Sequence, residues 1–65
     1  MKEIKLKIKY IKEFDSWGLI GSSKIDGTAY LARFDTRTNA HMAATAIERL
    51  AIDSKLFAVS ISEEE

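Results

Sequence analysis

The chain has no cysteine, no proline, a single histidine and three glycines, and its positive and negative charges cancel. Each scarcity excludes something. Without cysteine there is no disulfide, and His41 alone does not make up a zinc ligand set, so neither metal nor cofactor is expected. Gly18, Gly21 and Gly27 all fall before the predicted helix, and the strand-to-helix connection Asp35-Thr36-Arg37-Thr38-Asn39 contains none, so no phosphate-cradling loop exists. No apolar run approaches the roughly 18 residues of a membrane span. No signal peptide is read before the first strand, and a cytoplasmic location is expected. Zero net charge argues against a dedicated nucleic-acid binder, whose footprint is a basic excess, and equally against an acidic mimic of DNA.

With 65 residues the chain is expected to form one small domain over 1–65. Domains of this size bury only about 60% of the surface that the unfolded chain exposes. Lacking disulfides and metal, such a scaffold has oligomerisation or a partner as its remaining source of extra stability.

What is present is pattern. In Lys2-Glu3-Ile4-Lys5-Leu6-Lys7-Ile8-Lys9-Tyr10 apolar and charged residues alternate. A period of two puts Ile4, Leu6, Ile8 and Tyr10 on one face of a strand and Lys5, Lys7 and Lys9 on the other. Residues 1–14 hold five lysines against Glu3 and Glu13, while 15–65 hold five basic residues against eight acidic ones. The chain is therefore polarised, basic at its start and acidic at Glu63-Glu64-Glu65.

A second strand is predicted from Trp17 to Ile25 and a third from Thr28 to Asp35. Asp26-Gly27 between them reads as a two-residue type I′ hairpin turn. That register opposes Leu19 to Phe34 and Ser23 to Tyr30. It assigns Trp17, Leu19, Ile25, Tyr30, Ala32 and Phe34 to the core face, and Ile20, Leu31 and Arg33 to the opposite face. Phe14, in the preceding connection, is expected to fold back onto the core.

From Thr38 the period becomes helical, with Ala43, Ala46, Ile47, Leu50 and Ala51 as the apolar stripe and Thr36 or Thr38 as N-cap. A last strand spans Lys55 to Ser62. The order β-β-β-α-β predicts an α+β two-layer sandwich: an antiparallel meander, one helix packed on one face, and a C-terminal strand added parallel to the first. In element order alone, the β-β-β-α portion resembles HicB-type antitoxins and double-stranded-RNA-binding-like folds. No motif residues match, so the resemblance implies no function.

No catalytic constellation emerges. His41 lacks a cysteine or serine–carboxylate partner, and Asp15, Asp26 and Asp35 sit where aspartate caps turns. An enzyme is not expected, nor is a small-molecule substrate. The predicted open face combines Lys5, Lys7, Lys9 and Arg33 with Ile20 and Leu31, an apolar centre within a charged rim, which is the composition of a protein interface. The expectation is a non-enzymatic protein-binding module, an inhibitor or antitoxin-like regulator of the kind phages and mobile elements encode. It would dock this face or an edge strand on a protein partner or, as a homodimer, on a second copy. Nucleic-acid binding by the lysine row is the alternative, weakened because the stacking aromatics Trp17, Tyr30 and Phe34 are predicted on the core face. An acidic tail arriving beside Lys9 would weaken it further.

Overall fold

A computed structural model describes residues 2–64. Strand β1 spans Lys2–Ile11, a 3-10 turn follows at Lys12–Phe14, and β2 and β3 span Ser16–Ser23 and Gly27–Phe34. Helix α1 runs Arg37–Ser54 and β4 Phe57–Glu64. The strands lie in the order β3-β2-β1-β4, with β1 antiparallel to β2 and parallel to β4. This is the α+β sandwich that the change of period in the sequence predicts.

Leu6, Ile8 and Leu19 are the large side chains that water does not reach, and they close on Ala40 and Ala44 of the helix. Ile4, Trp17, Phe34, Ala43, Ile47, Val59 and Ile61 pack around them. The buried line of α1 runs through Ala40, Ala44 and Ala51, with Ala43 and Ile47 half-buried. It is rotated from the predicted stripe, so that Ala46 is exposed and Leu50 is 61% exposed. The reason is placement: α1 makes more extensive contact with β4 than with any one strand of the meander.

Thr36 caps the helix, its Oγ1 accepting from the Asn39 amide at 3.1 Å. At the other end Lys55 turns left-handed at φ 59° and its N–H donates to the Ala51 carbonyl at 3.0 Å.

The β2–β3 hairpin differs from expectation. Its loop holds three residues, Lys24 to Asp26, and Ser23 rather than Ile25 is the closing partner, facing Gly27. The Asp26 amide donates to Ser23 Oγ at 2.9 Å, and the Asp26 carboxylate is ion-paired with Lys2. Gly27 takes a φ of 80°, open to glycine at little cost. Ile25 therefore projects into solvent, 81% exposed, instead of joining the core.

The pairing then slips once. Ile20 faces Tyr30 but Leu19 faces Ala32, which leaves Leu31 as the extra residue of a β-bulge. The longer loop exchanges the faces predicted for Tyr30 and Leu31, and the bulge restores the predicted faces of Ala32, Arg33 and Phe34. Tyr30, cross-strand from Ile20, stands on the open face. Leu31 goes to the helix side, where a Cβ added to Gly21 would meet Leu31 Cδ1 at 3.0 Å and Leu6 Cδ2 at 3.7 Å.

A candidate interaction face on the open side of the sheet

The alternation of β1 carries Lys5, Lys7 and Lys9 away from α1, all exposed, as the sequence predicts. Cross-strand pairing sets what lies beside each. Lys7, Ile20 and Tyr30 form one row across the meander, and Lys9, Gly18 and Arg33 the next. Lys5 and Ser22 make a third row with Thr28. Of the six predicted face residues, five share this surface, and Ile20 is half-buried at its centre. Leu31 is the correction: the register set by the three-residue loop turns it to the helix side, so the predicted Ile20–Leu31 apolar pair does not form.

Tyr30 takes the place of Leu31. Its ring lies across the β2 backbone at Gly18, where an added Cβ would come 2.9 Å from Oη and 3.1 Å from Cε2. Only a residue without a side chain lets the ring settle there, and a glycine inside a strand is the usual mark of such a close approach. Tyr30 nevertheless keeps 51% of its surface exposed.

Phe14 is also on the surface rather than in the core, at 60% exposure, with the Arg33 guanidinium 4.7 Å from its ring centroid. This cation–π contact contributes on the order of 0.5–1 kcal/mol at an exposed site. More to the point, it sets the Arg33 guanidinium over the Phe14 ring on this face.

The acidic end of β4 divides between the two faces. Glu64, paired with Lys9, places its carboxylate 3.7 Å from Lys9 Nζ and 3.9 Å from Lys7 Nζ. The predicted partial neutralisation of the lysine row is thus present. Glu63 points to the helix side and accepts from Arg37 Nε at 2.5 Å, with His41 Nε2 at 2.7 Å. Arg37 first and His41 second hold the Glu63 carboxyl below the usual carboxylate range. His41 is half-buried beside β4.

At the rim, Tyr10 and Trp17 lie with ring centroids 5.5 Å apart, and the Tyr10 hydroxyl donates to Asp15 Oδ1 at 2.5 Å. That carboxylate raises the Tyr10 pKa through the hydrogen bond, desolvation adding to it. Ser16 is buried with its Oγ unpartnered.

Among the described residues no three potential ligands gather as a metal site, and no helix is long and apolar enough to cross a membrane. Compared with known proteins, the chain matches no family model, no curated relative and no solved structure. The sequence signals for what was missed were Gly18, a glycine inside a strand, and Phe14, an aromatic in a connection.

Proposed function

We infer that this chain is a small non-enzymatic binding module that inhibits or regulates a protein partner by covering one of its surfaces with the open sheet face. The observation that carries this reading is the Tyr30–Arg33–Phe14 cluster beside Ile20. Tyrosine and arginine are the residues most enriched among the few that dominate binding energy, and they act best when pre-positioned within a rim of less critical contacts. Here Gly18 seats the tyrosine and Phe14 seats the arginine. Lys5, Lys7 and Lys9 form one side of the rim. Their charge, offset by Glu64 at Lys7 and Lys9, favours a partner surface that is mildly rather than strongly acidic.

A second reading draws support from the same Tyr30. Placed on the face that carries the lysines, it removes the objection that no aromatic is available there to stack on a base. Against it stand the single central aromatic and the Glu64 carboxylate inside the lysine row.

Affinity capture from the source cells with wild-type bait and with Tyr30→Ala/Arg33→Ala bait, followed by mass spectrometry, tests the first reading. A protein retained by the wild type and lost with the double variant is expected. Fluorescence anisotropy of labelled single-stranded oligonucleotides tests the second. Tight binding that weakens steeply with salt, as release of counterions from phosphates requires, would replace the protein reading with the nucleic-acid one.

A further inference from the structure

The two edges of the sheet are unlike. Edge strand β3 carries the Leu31 bulge, a device that discourages further strand pairing. Edge strand β4 carries none. It pairs with β1 without irregularity from Phe57 to Glu64, and it has no proline and no charge before Glu63. Its outer backbone groups have no strand partner among the described residues. An unguarded edge of eight residues is a template for another strand.

We propose that β4 pairs antiparallel with β4 of a second copy, joining two sheets into one about a twofold axis centred on Val59. The sequence of β4 is self-complementary in that arrangement. An axis normal to the sheet requires facing residues to share a side, so it passes through a residue rather than between two. Centred on Val59, it sets Phe57 opposite Ile61 and Val59 opposite itself on the helix side. On the open side it sets Ala58 opposite Ser60, and Leu56 opposite Ser62. It also brings Lys55, at the mouth of one strand, beside Glu63 at the end of the other. Centring on Ser60 instead would keep Val59 opposite Ile61 but oppose Phe57 to Glu63 and lose the charge match.

The exposed apolar groups nearby fit the same occupant. Leu56, at the start of the edge, is 77% exposed. Ile52, 66% exposed, lies on the side of α1 that carries His41 and Glu48 and so faces the β4 border. A second α1 arriving across the junction on the helix side covers Ile52, while Leu56 meets Ser62 of the second copy on the open side.

Sedimentation across a wide concentration range, up to millimolar, tests the proposal with two paired variants. Ala58→Lys/Ser60→Lys places like charges opposite each other twice across the axis and is expected to weaken self-association on the order of tenfold. Ala58→Lys/Ser60→Glu places opposite charges there and is expected to keep the wild-type dimer or tighten it. Both changes lie on the open side of β4, away from the core, and circular dichroism checks that each variant folds. Zero-length carbodiimide crosslinking of mixed isotope-labelled and unlabelled wild-type chains supplies a readout without substitutions, and a Lys55–Glu63 crosslink between chains is expected. A wild-type monomer at all concentrations overturns the proposal, as does a dimer equally indifferent to both variants. Tyr30→Ala/Arg33→Ala leaves this edge untouched, so failure of open-face binding and failure of the dimer are read separately.

Discussion

At the scale of single residues, three positions have consequences out of proportion to their size. Gly18 is the seat of Tyr30, and Gly18→Ala forces the ring to move, since the new methyl would lie 2.9 Å from Oη. The expected cost is about 1 kcal/mol of stability, read by urea denaturation, together with weaker partner capture because the tyrosine is no longer held. Lys55 is a non-glycine residue in the left-handed region at φ 59°. Lys55→Gly relieves that conformation and should raise stability by up to about 1 kcal/mol, measured the same way. Glu63 governs the acid side. With its pKa depressed by Arg37 and His41, its contribution is fully present above the ordinary glutamate pKa of about 4.3 and is lost as pH falls through the lower folded value. Glu63→Gln should flatten that part of the pH–stability curve. Neither the Glu63 contacts nor the Tyr30 seat was legible in the sequence. The first joins residues 22 and 26 positions apart, through the register of a parallel pair. The second depends on the register that the three-residue loop imposes.

At the scale of elements, the sequence was readable wherever its period was clean. The strict alternation of β1 located both faces of the sheet, and the passage from period two to period 3.6 after Phe34 located the helix. Thr36 was one of two cap candidates because both threonines precede the apolar stripe, and only geometry chose between them. Thr36→Ala should cost about 1 kcal/mol and fray the first turn, visible as faster amide exchange at Asn39 and Ala40. The hairpin misled because two signals competed. Asp26-Gly27 is a strong two-residue turn sequence, but Ser23 offers its hydroxyl to the Asp26 amide and Lys2 holds the Asp26 carboxylate, and together they favour the longer loop. The bulge had no local mark. In Ala29-Tyr30-Leu31-Ala32 apolar side chains occupy both alternations, so period alone does not say which residue is extra.

At the scale of the whole molecule, the core is shallow. Among the described residues three large side chains are fully buried, and the helix meets the sheet largely through alanines. A chain with so little sequestered apolar surface has a small stability margin. The association proposed through β4, or through the open face, would therefore add a large fraction to it. For the dimer, the melting temperature should climb with protein concentration by the mass-action relation and level off once the dimer is saturated. Scanning calorimetry at several concentrations measures this, and a melting temperature independent of concentration would show that self-association contributes nothing to the fold.

The Leu31 bulge limits how far such a sheet can grow. Removing Leu31 would leave every other facing pair of β2 and β3 as it is, with Ile20 still against Tyr30 and Leu19 against Ala32. The deletion would forfeit the Leu31 side chain beside Gly21 and Leu6, and β3 would become a second straight, unguarded border. A molecule with one receptive edge stops at a closed pair, whereas one with two can polymerise without end. In the proposed dimer, the single surplus residue is thus what would keep the assembly finite.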